Sequence, residues 1–411
     1  MWLQHTTPGE RRALLAGYLG YGLDGFDFMV YTLFIPTLML QWGMGKDQAG
    51  YIASAALVTS AIGGWAAGVL ADRYGRARVL QITVVWFALF TFLSGFTQSF
   101  TQLLITRALQ GFGFGGEWAV GSILVAEIID ARHRGKAAGL VQSSWSVGWA
   151  AAALAFWAAS TWIAPQFAWR VVMWVGLLPV LVTIYIRRYV REPELYLAQR
   201  ARPRQRAQFL AIFKPPLLYT TVMATVLSTG MLAGYYSITT WLPAYLATER
   251  HLSQGNTTGY LLTVIFGSLI GYLTAAWLAD LIGRRRCFVI FALGASLFIV
   301  LYTHAALAGG MLLVGFALGF FILGMFSGMG AYLSELYPGA VRGSGQGFSY
   351  SMGRGIGGFC PALVGVLASH VPLGEAIWSV TVVAYSLVVF ATWLLPETKG
   401  KSLASEAPAH I

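Results

Sequence analysis

The chain is poor in charge. Only 10% of its 411 residues are charged against 57% hydrophobic, and the mean hydropathy is +0.65, whereas soluble domains carry roughly a quarter charged residues. A soluble fold of this length has no use for so much apolar surface, which excludes an ordinary globular enzyme or binding module. Cysteine is nearly absent. Cys287 and Cys360 both fall in or beside apolar runs, so neither a disulfide framework nor a metal cluster is expected. His5, His133, His251, His304, His370 and His410 scatter near loops and ends without HExxH or comparable spacing, which argues against a membrane-embedded metalloenzyme. Asparagine is almost missing from the apolar runs, and a neutral-sugar carrier would need an amide-rich cavity.

What the chain does have is long apolar stretches, each near the ~20 residues that cross ~30 Å of hydrocarbon as a helix. Twelve recur, at 13–38, 49–71, 79–97, 101–126, 136–160, 169–189, 217–246, 257–279, 287–306, 310–333, 344–368 and 376–395. The first is too long for a signal-peptide core and lacks a small-residue cleavage site, so it counts as a span. The formal charge of +11 would suit nucleic acid, but its distribution does not. All but five of the 27 Lys and Arg residues fall at the termini or in the even-to-odd loops, on one side of a twelve-span chain. By the positive-inside bias both termini and these loops are cytoplasmic. The basicity therefore reports topology, and no nucleic-acid partner is expected. The fold class is all-α and integral to the membrane.

The longest polar interval, REPELYLAQRARPRQRAQFLAIFKPP at 191–216, divides an N-terminal six-helix bundle (1–190) from a C-terminal one (217–411) through a cytoplasmic linker. An internal repeat supports the division. GVLADRYGRAR (68–78) recurs as AWLADLIGRRR (276–286), and Glu127 with Arg134-Gly135 recurs as Glu335 with Arg342-Gly343. Parallel six-helix repeats are an architecture in which one half rocks against the other about a central site. Asp72 at a helix end can pair with basic groups of the neighbouring helix, and Gly75 permits the tight turn. Such contacts would latch one face in one state and break in the other.

These residues resemble the major facilitator superfamily. Its loop signature, G-x-x-x-D-R-x-G-R, is matched by Gly68, Asp72, Arg73, Gly75 and Arg76, and again by Asp280, Gly283 and Arg284, with Ala276 in place of the first glycine. RALQGFGFGGEWAVGS is similar to its second motif through Arg107, Gln110, Gly111 and Gly115. The resemblance covers the whole chain. It implies gating roles for Asp72, Arg73, Gly75, Arg76, Glu127, Arg134, Asp280, Gly283, Arg284, Glu335 and Arg342.

Five charges stand deep in the spans: Asp24, Asp27, Arg107, Glu117 and Arg354. Each costs ~2.5–3.5 kcal/mol on insertion scales and so should face a cavity or a partner. Asp24 and Asp27, three residues apart, share a helix face about 5–6 Å apart at Cβ. Two carboxylates that close in a low dielectric do not both ionise easily, the property a proton carrier needs. Tyr31, one turn on, could hydrogen-bond a substrate. Arg107 is placed to pair with these acids, a role the superfamily motif also implies, and Glu117 in GGEW is a second protonation candidate. Arg354 keeps its charge when buried and offers a fork that suits a carboxylate. Gln142, Trp145, Tyr235 and Tyr236 are candidate cavity residues.

Three acids and two arginines leave one net negative charge, and an entering carboxylate makes two. Protonation of the acids restores neutrality, so substrate anion and proton should favour each other's binding. The expected function is proton-coupled symport of a small organic anion by alternating access, with protons as coupling ion and no cofactor or metal. The alternatives are a proton-coupled exporter and a carrier of a non-carboxylate metabolite. DGFD, GGEW, REPELY, WLPAYL and GFSYSMGRGIGG most resemble the bacterial organic-acid:proton symporters, in which an aromatic-acid branch and a sialate or monocarboxylate branch both fit. That resemblance implies a functional monomer, multi-pass in the bacterial inner membrane.

Overall fold

The computed structural model describes residues 6–128, 134–189, 208–305, 309–339 and 341–400, with backbone alone for residues 72, 76, 118–128, 134–136, 138, 165, 182, 208 and 209. Its elements are α1 (Pro8–Trp42), α2 (Lys46–Tyr74), α3 (Arg76–Ser94), α4 (Phe100–Ile128), α5 (Arg134–Trp162), α6 (Pro165–Val175), α7 (Pro179–Tyr189), a 3₁₀ turn (Gln208–Phe213), α8 (Leu217–Thr248), α9 (Gln254–Ile282), α10 (Arg284–His304), α11 (Gly309–Leu336), α12 (Arg342–Gly357), α13 (Cys360–Leu367) and α14 (Leu373–Leu394). Among the described residues, nine segments are long and apolar enough to cross a membrane. The segments α4, α5 and α12–α13 complete twelve spans in two bundles, α1–α7 and α8–α14. Residues 191–207 of the expected linker, and residue 190 before it, lie outside the described residues.

Two spans expected to be continuous are broken. The sixth divides at Gly176–Leu178, where Pro179 brings no backbone N–H. The eleventh divides after Gly357-Gly358, and Pro361 restarts it as α13. Gly176, Gly357 and Gly358 at the breaks are buried, whereas Leu177, Leu178 and Phe359 beside them face outward. The start of α1 is fixed by a capping box: Thr7 N donates to Glu10 Oε2 at 2.7 Å, Glu10 N donates to Thr7 Oγ1 at 3.2 Å, and Pro8 follows at N1.

Hydrocarbon gives helices no hydrophobic reason to associate, so close packing through small residues carries the bundles. A Cβ at Gly111 or Gly115 of α4 would collide with the Ala56 or Ser60 carbonyl of α2. The second half repeats the device, with Gly267 and Gly271 of α9 against the Phe316 and Phe320 carbonyls of α11. Large apolar side chains such as Trp277, Leu313 and Trp393 face outward, as contact with lipid requires.

The halves meet most tightly at the face away from the termini. There Gly50 of α2 packs on Pro361, Gly365 of α13 packs on the Lys46 carbonyl, Lys46 Nζ donates to Ala368 O at 3.1 Å, and Ala362 N donates to Ser54 Oγ at 3.0 Å. Nearer the face that carries the termini, a narrow cleft with room for little more than ordered water lies between Gln142 of α5 and Phe326, Met329, Gly330, Leu333, Gln346 and Tyr350 of α11 and α12.

Candidate functional site

The five deep charges are all buried, none more than 4% exposed, and they form two centres. Asp24 and Asp27 share α1 but do not share neighbours. Asp27 turns into the N-terminal bundle. Its Oδ2 accepts from Thr91 Oγ1 of α3 at 3.2 Å, and Gln110 Nε2 of α4 donates to the same hydroxyl at 3.0 Å. Arg107 lies within electrostatic reach of Asp27. Its guanidinium stands 5.1 Å from the Tyr31 ring centroid and has no hydrogen-bond partner among the described residues. Asp27 Oδ1, also without a hydrogen bond, lies against Gly176 at the break of the sixth span. From α1 the acid touches α3 and the break of the sixth span directly, and reaches α4 through Thr91 and through the charge of Arg107.

Tyr31 belongs to this centre. Its hydroxyl donates to Ala49 O of α2 at 2.7 Å.

Asp24 faces the other way, toward the boundary between the halves. Glu117 of α4 and Arg354 of α12 act on it more strongly than Asp27 does, and Arg354 also reaches Glu117. Both Asp24 oxygens and Glu117 Oε2 lack hydrogen-bond partners among the described residues. Glu117 lies against Gly20 of α1, where any Cβ would meet its carboxylate. Arg354 sits in the last turn of α12, where the helix carbonyls favour a cation. Its Nη2 donates to Tyr350 OH at 3.3 Å, and it lies 5.0 Å from the Phe114 ring and 5.1 Å from the Tyr350 ring, within cation–π range. Tyr21 and Tyr236 complete its surroundings.

An aromatic cage adjoins this second centre. Phe28 stacks on Phe114 at 5.6 Å and meets Tyr236 at 5.7 Å, Tyr21 meets Trp145 at 5.1 Å, and Trp145 Nε1 donates to Tyr235 OH at 2.6 Å across the two halves. Trp145, Tyr235 and Tyr236 thus line the region of Arg354, while Gln142 lines the cleft below it. Tyr350 belongs to both, as cleft wall and as partner of Arg354. Sequence reasoning missed Thr91, Phe114 and Tyr350. Only Tyr350, one turn before Arg354, carried a readable signal.

The loop repeat is visible in the backbone. Gly75 and Gly283 hold φ of 110° and 99°, a region L side chains avoid. In the second half Arg284 reaches Asp280 and, through Nη2 at 3.2 Å and Nε at 3.4 Å, Glu335. Arg342 Nε donates to Ser334 O at 2.9 Å. In the first half Arg73 lies beside its own neighbour, with the guanidinium 5.3 Å from the Tyr74 ring. The side chains of Asp72, Arg76, Glu127 and Arg134 lie outside the described residues.

Glu397, in PETKG after the last span, was not anticipated. It receives Arg284 N at 2.9 Å and Arg285 N at 3.1 Å, so it caps α10 from the far end of the chain. Burial alone would raise its pKa, but the backbone N–H groups of Arg284, Lys399, Arg285 and Thr398 outweigh that and hold the carboxyl below its ordinary value. A carboxyl depressed in the folded state stabilises above its unfolded value, ~4.3 for glutamate, and that contribution is lost as pH falls through the folded value. Glu397→Gln is therefore expected to lower the melting temperature in detergent at pH 7, with the gap to the parent protein closing below about pH 4. A gap independent of pH would remove the charge from the account.

A multi-pass helical membrane protein with paired six-span bundles and a buried charged centre between them is a transporter rather than an enzyme. The chain belongs to the Major Facilitator Superfamily, whose profile matches residues 17–274 and 255–409. A relative named as a probable 4-methylmuconolactone transporter of Cupriavidus pinatubonensis is 41% identical, with 100% of this chain and 96% of the relative covered. A cis,cis-muconate transport protein of Acinetobacter baylyi is 29% identical over 88% of each chain. The crystal structure of a D-xylose-proton symporter shares the fold, with a TM-score of 0.78 at 20% identity over 95% of this chain and 99% of that one. The resemblance to the superfamily's organic-acid transporters read from the sequence accords with these relatives.

Proposed function

We propose that the protein is a proton-coupled symporter of a small organic carboxylate that works by alternating access, in a bacterial inner membrane with both termini cytoplasmic. The observation that carries this reading is Arg354. It is a buried fixed cation at the boundary of the halves, beside two carboxyls and an aromatic cage. A guanidinium in a water-poor space binds a carboxylate through two charge-assisted hydrogen bonds, and the cage suits a flat, unsaturated body. Relatives named for muconolactone and muconate transport support the substrate class.

The proton acts at Asp27. Ionised, it neutralises Arg107 inside the N-terminal bundle; protonated, it releases that attraction at the junction of α1, α3, α4 and the broken sixth span. The tight face at Gly50 and Gly365 and the cleft at Gln142 then exchange roles as the halves rock. Binding of benzoate and of benzamide to the purified protein, followed by tryptophan fluorescence, tests the reading. A carboxylate bound at least tenfold more tightly than its amide supports it, and equal affinity contradicts it.

A further inference from the structure

We propose that Asp24 and Glu117 form a second proton site, separate from Asp27, which takes up one proton together with the substrate carboxylate, so that each cycle moves two protons with one monovalent anion. The proposal rests on the carboxylate-symport reading and extends it to stoichiometry and charge.

The two acids of DGFD diverge. Arg107 is the charged group beside Asp27, whereas Glu117 and Arg354 are the strongest charged neighbours of Asp24. Thr91, Gln110 and Gly176 close the Asp27 centre within one bundle. Asp24 and Glu117 instead share the boundary between halves with a cation that is itself a substrate ligand. The remaining groups around them are phenols and rings: Tyr21 on α1, Tyr236 on α8, Tyr350 on α12, Tyr272 on α9 in reach of Tyr21, and Trp145 on α5. None adds a charge at neutral pH.

The count follows. Ionised Asp24 and Glu117 with Arg354 leave one net negative charge in a space nearly closed to water. One proton held between the two carboxyls removes it, as carboxyl pairs do. An entering carboxylate on Arg354 restores the charge, and a second proton removes it again. That proton adds to a carboxylate oxygen free of other hydrogen bonds, of which Asp24 offers two and Glu117 one among the described residues. It leaves from the same atom on the other side when the anion leaves. Asp27 takes its own proton independently. Two protons and one anion carry one positive charge inward, so the cycle is electrogenic.

The test is made on proteoliposomes with benzoate, lactate and 4-methylmuconolactone. Counterflow without a pH gradient comes first. Its absence for all three overturns the carboxylate reading and this proposal with it. For an acid that exchanges, the substrate gradient that just balances imposed pH and voltage gradients gives the proton-to-anion ratio. The expected ratio is two, with inward positive current. In the Asp24→Asn/Glu117→Gln double variant it falls to one, current is lost, and uptake remains uphill through Asp27. A ratio of one in the unaltered protein overturns this proposal alone, as does a ratio of two that survives in the double variant. Should the double variant fail to fold, the ratio and current of the unaltered protein decide.

Discussion

Asp27→Asn is expected to abolish uphill uptake while leaving exchange intact. Asparagine matches the protonated carboxyl in size and in its lack of charge, so Arg107 never regains its counter-charge. The loaded carrier still reorients, but the empty one, which needs the ionised pair, does not return. A gradient of one pH unit provides about 1.36 kcal/mol, or tenfold accumulation, per coupled proton. Because the empty carrier does not return, no net accumulation builds up in the variant even though the Asp24/Glu117 site still binds its proton, and the net rate drops by at least about tenfold. Counterflow of labelled against unlabelled substrate should stay within a few-fold of the parent rate. Unchanged uphill uptake would remove Asp27 from the mechanism. The Asp24/Glu117 double variant should behave in the opposite way, keeping net transport and losing only one proton from the ratio. The two centres are thereby distinguishable by function as well as by position.

Arg354→Lys is expected to weaken carboxylate binding by one to two orders of magnitude. Arginine presents a planar fork that meets both carboxylate oxygens, whereas an ammonium is a point charge with freely rotating donors. Loss of one charge-assisted hydrogen bond costs about 1.5–3 kcal/mol, which corresponds to roughly 10- to 150-fold in Kd. Lysine also loses the flat face that rests on Phe114 and Tyr350. The measurement is the Kd of the fully folded variant, followed by quenching of the caged Trp145. Unaltered affinity would make Arg354 a structural cation held for its tyrosines.

The fold was legible because its signals are compositional. Runs of ~20 apolar residues, basic loops on one side and a repeat such as GVLADRYGRAR/AWLADLIGRRR each report one physical demand of the bilayer. The positive φ at Gly75 and Gly283 is the conformation that this loop motif requires. The breaks at Gly176–Leu178 and Gly358 were harder to read, since Pro179 and Pro361 stand in stretches otherwise apolar enough to continue as helix.

At the site, the identity of the deep charges could be read from the sequence, because each is costly and so must have a purpose. Their partners could not. Helical spacing placed Asp24 and Asp27 on one face, yet one turn of α1 separates the boundary between halves from the interior of the first bundle. Which neighbour each acid meets depends on α3, α4 and α12, which no local pattern specifies. Thr91 is one hydroxyl among many in a span, and Phe114 one ring among 25 phenylalanines. Glu397 lies more than a hundred residues from the helix it caps.

The measurement that bears most directly on the central claim is the internal pH of proteoliposomes as benzoates, sialic acid, lactate and dicarboxylates are added outside. Proton-coupled carboxylate symport predicts acidification beyond that of protein-free vesicles, for some of these acids only, and lost in Asp27→Asn. No acidification across the panel in vesicles shown to hold folded protein, or acidification undiminished in Asp27→Asn, would contradict it.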